Sequence, residues 1–245
     1  MRNIIIDGNN FLSIGLYRAM SNIQRDNPSK LEEWTAGASR KLFMQMCRKL
    51  QRDFNETSQY YIVWDHANGS AWRKELVESY KGNRNHSKFL KEAIADGKLV
   101  AEELLMLNIE LENAEADDAI YALCELLKDD ENIIISRDHD MLQIVQQGFA
   151  EKLWDPVAKK PIEIPEYDIV LYKCLVGDSS DNISGVPGIG PARALKLMST
   201  GIPKELEAEV AKFRKIISMA EHPDHKTHLV QLKEIIEGAT YEENR

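Results

Sequence analysis

Cysteine is scarce in this chain of 245 residues. The three present, Cys47, Cys124 and Cys174, are widely spaced and odd in number. They supply neither a disulfide framework nor a cysteine zinc site, and they fit reduced thiols in a cytoplasmic protein. Long apolar runs are missing too. No stretch approaches the roughly 18 apolar residues of a membrane span, and the N-terminal "MRNIIIDGNN" lacks a signal-peptide cleavage pattern. Positive charge is in deficit, with 31 Lys and Arg against 40 Asp and Glu and a net charge of −9. That balance argues against a nonspecific nucleic-acid coat protein. It leaves room for a nucleic-acid enzyme whose acidic residues gather around metal ions. Internal repeats and low-complexity segments are absent.

The hydrophobic content of 43% suits a buried core. Three short apolar runs, "NIIIDG" (3–8), "YYIVWD" (60–65) and "NIIISRD" (132–138), have the character of buried parallel strands. Helical patterns over 38–54, 71–81 and 116–128 alternate with them, which predicts an α/β fold with a parallel sheet. Beyond a soft boundary near 165 the pattern turns helical, over 166–176, 191–200, 203–220 and 228–238. The basic, weakly periodic stretch 82–98 reads as a loop or helix over a site.

Each strand run carries an aspartate at or near its end: Asp7, Asp65 and Asp138. In open parallel sheets the strand C-termini share one edge, where ligands bind. Further carboxylates stand in "EADD" (Glu115, Asp117, Asp118), "DHD" (Asp138, Asp140) and "GDSSD" (Asp178, Asp181). Gathered in one cleft they would raise each other's pKa unless cations neutralised them. Hard oxygen donors without Cys or His select magnesium, with manganese able to substitute. Two such ions about 4 Å apart can clamp the attacking and leaving oxygens of a phosphoryl transfer. Taken singly, the EADD and GDSSD groups also read as helix caps and turn residues.

"GVPGIGPARA" then places Gly185, Gly188 and Gly190 in a tight hairpin before a helix begun by Pro191. Backbone N–H groups there suit a phosphate, with Arg193 and Lys196 just beyond. Together with "DGNN", "VWD", "SYKGNR", "EADD" and "SRDHD", in this order, "GDSSDNISGVPGIGPARA" resembles the flap endonuclease/5′-nuclease family, phage and bacterial members above all. The resemblance implies a PIN-like nuclease core over 1–165, with a helical arch at about 82–107. A helical DNA-binding subdomain over 166–245 would follow, with a helix–three-turn–helix element at about 177–200.

The same resemblance implies two magnesium ions. One would lie on Asp7, Asp65, Glu115, Asp117 and Asp138, the other toward Asp140, Asp178 and Asp181, with Asp118 a further acidic position. It casts Lys81 and Arg84 as contacts to the scissile phosphate and Tyr80 as a stacking platform for a base. It casts the glycine hairpin as a holder of duplex backbone with a potassium ion on main-chain carbonyls. The implied substrates are branched or 5′-ended DNA and RNA–DNA hybrids, and the implied state is a stand-alone monomer working with replication proteins. A PIN-like ribonuclease and a non-catalytic junction-binding protein are the other readings. A haloacid-dehalogenase phosphatase is excluded, since Asn9 stands where it needs a second aspartate. "HPDHKTH" (222–228) reads as solvated surface histidines.

Overall fold

Ile4, Ile5 and Ile6 are fully buried in the computed structural model, which describes residues 1–55, 57–83 and 88–243, with side chains as far as residue 239. A β-branched run of this kind fills both faces of a central strand. The strands are β1 (Arg2–Asp7), β2 (Gln59–Trp64), β3 (Leu107–Glu110), β4 (Glu131–Ile135), β5 (Lys152–Asp155) and β6 (Lys160–Pro161). They form one sheet in the order β3-β2-β1-β4-β5-β6. The first five run parallel, and β6 closes the edge antiparallel. Ile6 stands in register with both Ile62 and Ile135, so Asp7, Asp65 and Asp138 leave the sheet at one edge. The chain winds to one side of β1 for β2 and to the other for β4. The crevice where ligands bind in such sheets therefore opens between Asp7 and Asp138.

Ile4 and Ile6 face a layer made by α1 (Gly8–Asp26), α2 (Leu31–Phe54) and α4 (Leu90–Glu103). Ile5 faces the other core, with α5 (Ala116–Leu126), α6 (Leu142–Gln146) and the helices beyond residue 165. These are α7 (Ile169–Val176), α8 (Pro191–Thr200), α9 (Lys204–Ile217) and α10 (His225–Glu243). The expected boundary falls between β6 and α7. The apolar core runs through it, because Ile134 and Leu153 of the sheet belong to one cluster with Cys174, Leu175 and Ile216.

Two local expectations change. The short α3 (Ala71–Leu76) ends early: Val77 is extended, and Lys81 adopts a left-handed φ of 52°. Residues 79–83 thus form a turn, and Lys81 lies on no helix face. The described helix of the expected arch region is also no free-standing arch. In α4, Ala93, Gly97, Val100 and Ala101 are buried against α1 and α2. Gly97 lies so close to Trp64 that an added Cβ would meet its ring at 2.8 Å. Helix α4 is a wall built into the layer. No described helix is long and apolar enough to cross a membrane.

Candidate active site

Asp7 ends β1 and caps α1, accepting from the Asn10 N–H at 3.0 Å on Oδ1 and from Ser136 Oγ at 2.9 Å on Oδ2. Asp65 follows β2 and accepts the first N–H of α5, from Ala116, at 2.7 Å. Asp138 caps a short 3₁₀ turn by accepting from the Asp140 N–H at 2.9 Å. Backbone N–H groups at three helical starts thus offset part of the charge these groups bring together. With Glu115 and Asp117 they line one cleft of about 250 Å³, beside Asn9, Asn10 and Lys81.

Three further residues hold this edge together. Asn9 accepts from the Asp65 N–H at 3.1 Å, and Asn10 accepts from the Arg137 N–H at 3.2 Å. Buried Ser136 donates to Asp7 and accepts from the Asp138 N–H at 3.0 Å. The side chains of "DGNN" thus clamp the ends of β2 and β4 to that of β1. Crowding has an electrostatic cost. Burial, followed by the nearby Asp65 and Asp138 charges, pushes the Asp7 carboxyl up to about 7 despite its two hydrogen bonds. Loss of water contact in the cleft, then Asp117 and Glu115, also raises Asp65.

Asp117 borders a second, smaller cavity with Asp140, Asp178 and Asp181. Lys173, which no sequence motif had marked, stands between Asp140 and Asp178, with Nζ 2.6 Å from the latter. Burial alone would raise Asp178; Lys173 and two bonds from Ser180 hold it below the ordinary carboxylate value. The structure therefore sorts these eight carboxylates into two adjoining groups that meet at Asp117.

Asp118 lies with Glu115 and Asp117, one oxygen of each within 4.8 Å of the others, yet departs from a simple ligand role. It is 1% exposed, and both its oxygens accept from Arg73, at 2.6 and 2.7 Å. A carboxylate held bidentate by a buried guanidinium is committed to that pair. Arg73 Nη1 also donates to Glu115 at 2.7 Å, and Nε donates to the Ile216 carbonyl at 2.9 Å. Tyr80 departs as well. Its ring is 2% exposed, so it offers no stacking platform, and its hydroxyl lies 2.9 Å from Glu115 and 3.0 Å from Asp181. Lys81 sits at the cleft with Nζ 2.6 Å from Glu115 and 3.9 Å from Asp181. Arg84 lies outside the described residues.

In the glycine stretch the three glycines differ in environment. Gly185, at φ 68°, is pressed against the Val176–Gly177 backbone, where an added Cβ would come within 2.2 Å of the Gly177 nitrogen. Its role is close packing. Gly188 and Gly190 are exposed, and Gly190 caps α8. Arg193 and Lys196 are exposed on the same helix. The histidines also differ from expectation: His222 and His228 are 4% and 1% exposed, buried against the loop before α5.

The chain matches the family described as 5′-3′ exonuclease, N-terminal resolvase-like domain, over residues 2–168. It is 37% identical to the flap endonuclease Xni of Shewanella amazonensis over 170 residues, 64% of this chain and 64% of that protein. It is 34% identical to the flap endonuclease Xni of Shewanella halifaxensis over 209 residues, 80% of this chain and 76% of that protein. Against a 5′-3′ exonuclease of Mycoplasmopsis pulmonis it is 30% identical over 211 residues, 80% of this chain and 69% of that protein. Among solved structures, the bacteriophage T5 D15 flap endonuclease in a pseudo-enzyme-product complex with DNA and metal ions has a similar fold. The TM-score is 0.68 at 18% identity, covering 97% of this chain and all of that one (100%).

Proposed function

The chain belongs to the 5′-3′ exonuclease family, and we propose that it is a structure-specific nuclease that hydrolyses phosphodiesters in branched or 5′-ended DNA. One observation carries this reading: eight carboxylates stand in two adjoining groups at the C-terminal edge of the sheet, joined at Asp117.

These residues suit divalent ions. Their donors are carboxylate oxygens, the set that favours magnesium, and Asp7, raised chiefly by burial and further by the Asp65 and Asp138 charges, stands where a cation would be favoured. Asp7, Asp65, Glu115, Asp117 and Asp138 would hold one ion, and Asp117, Asp140, Asp178 and Asp181 a second. When bound, the ions supply a water nucleophile at neutral pH and offset charge on the attacked phosphate and leaving oxygen.

The protein's own groups set the geometry. Asn9, Asn10 and Ser136 fix the strand ends, and Tyr80 ties Glu115 of the first group to Asp181 of the second. Lys81 brings a cation to the cleft, where a substrate phosphate would compete with Glu115 for it. Lys173 steadies Asp140 and Asp178 against mutual repulsion. The exposed N-terminus of α8, with Arg193 and Lys196, would hold the duplex backbone, and the hairpin carbonyls are the proposed place for potassium.

The test is cleavage of a 5′-labelled DNA flap with and without magnesium, beside single-stranded RNA of matched length. Magnesium-dependent cutting at the flap junction is expected, and Asp138→Asn should abolish it while duplex binding persists. A preference for single-stranded RNA over the flap would overturn the assignment.

A further inference from the structure

Outside the cleft, the structure brings together a second set of metal-ligating side chains, with nitrogen donors that the cleft lacks. We propose that His222, Asp224 and His228 form a zinc site that fastens the start of α10 to the loop between β3 and α5. Each of the three offers one donor atom, and these atoms all lie within 4.8 Å of one another.

The ring nitrogens supply the main argument. His222 Nε2 lies 3.1 Å from the carbonyl of Asn113, and His228 Nε2 lies 3.0 Å from that of Glu112. A carbonyl can only accept, so both Nε2 atoms carry the proton and both Nδ1 atoms keep a lone pair. Metal-binding histidines show this arrangement: the far nitrogen donates to a carbonyl or carboxylate, which fixes the tautomer and aims the near one. His228 Nδ1 is buried with no hydrogen-bond partner among the described residues, although its residue is only 1% exposed. An acceptor so placed calls for a ligand. His222 Nδ1 accepts from the Asp224 N–H at 3.0 Å, which brings the third member of the set alongside.

The surroundings agree. The two imidazole rings are 4.5 Å apart between centroids, and Trp72 closes one side at 5.1 Å from His222. Each Nε2 donates to a carbonyl while each Nδ1 keeps its lone pair, so both rings stand as neutral imidazoles, the form that binds a metal. Two imidazoles and one carboxylate suit zinc, with a fourth position left for solvent, and suit magnesium poorly. A zinc ion there would take the His222 lone pair from the Asp224 N–H. It would lock residues 222–228 in place, and the Nε2–H bonds of the two rings to the Glu112 and Asn113 carbonyls would pass that restraint to the segment that leads into Glu115; this holds whether or not the chain is a nuclease.

The test uses the whole chain, stripped with a chelator and kept in a large excess of magnesium to fill the oxygen-donor cleft. Zinc retained after gel filtration is counted by elemental analysis, and melting temperature is followed as zinc is added. Cobalt in place of zinc reports nitrogen ligation through its visible absorption. About one zinc per chain and a rise in melting temperature are expected. His228→Gln and Asp224→Asn should each weaken zinc by at least about tenfold, since even outer-shell changes at metal sites cost about 10–100-fold. Asp224 is half-buried, so its variant tests the site even if His228→Gln fails to fold. Asp138→Asn should leave this zinc in place. Failure of the unaltered chain to retain zinc, or retention unchanged in folded Asp224→Asn, would overturn the proposal.

Discussion

Arg73 grips Asp118 with two nearly equal bonds, Nη1 to Oδ2 at 2.7 Å and Nη2 to Oδ1 at 2.6 Å, beneath the carboxylates of the cleft. The same Nη1 reaches Glu115 at 2.7 Å, so one buried cation sets the position of a proposed metal ligand. Arg73→Met should leave Asp118 buried without its partner. Breaking such a pair costs about 3–5 kcal/mol, so the melting temperature should fall by about 10 °C. Scanning calorimetry checks this, and a change within a degree or two would show that the pair contributes little.

Tyr80→Phe separates positioning from stacking. The buried ring keeps its packing while the hydroxyl between Glu115 and Asp181 is removed. Stability should fall by only about 1 kcal/mol, the usual net worth of one hydrogen bond. The magnesium concentration for half-maximal cleavage should rise several-fold while duplex affinity holds. Weakened DNA binding with an unchanged magnesium requirement would mean that the ring does meet a base.

The pH dependence of the metal-free chain follows from Asp7, whose carboxyl rises from 3.8 to about 7, chiefly through burial. The folded chain thus binds this proton more tightly than the unfolded one. The stabilisation is fully present below the unfolded value and is lost as pH rises toward about 7. Without divalent ions, the stability advantage of the native chain over Asp7→Asn should therefore shrink from about pH 4 to about pH 7 in urea titrations. Magnesium competes with that proton, so its apparent affinity should climb over the same range. A flat or growing stability difference would contradict the burial argument.

Removing Arg193 and Lys196 together tests the α8 surface. Every phosphate that a cation no longer neutralises should flatten the log–log salt dependence of duplex binding by about 0.9. The double alanine variant should therefore be shallower by about one to two in slope. An unchanged slope would place the duplex elsewhere on the molecule.

The sequence made the strand-end aspartates legible because short β-branched runs stop at them. It made the two acidic groups legible because the motifs are compact. Their supporting side chains were hidden. Asn9, Asn10 and Ser136 act across strands, and such partners leave no local period; Arg73 and Lys173 read as ordinary helix cations until folding brings Asp118, Asp140 and Asp178 to them. Tyr80, His222 and His228 sit in polar stretches whose composition suggests solvent, and burial reverses that reading. The edge strand β3 is four residues long and only partly buried, too short for alternation to register. Helix α4 was obscured because Gly97 and two alanines supply much of its buried face, where space beside Trp64 matters more than hydrophobicity.

The tight seat of Gly185 against Gly177 also bears on where a strand would be cut. Asp178 pairs with Ile183 through two backbone bonds of 2.8 Å, so the segment from the second acidic group to the hairpin is braced at both of its turns. On the proposed reading, one end of this segment grips the duplex and the other faces the scissile bond. It would then act as a ruler: the distance between grip and cut would follow from backbone that cannot lengthen without first pulling the two glycines apart.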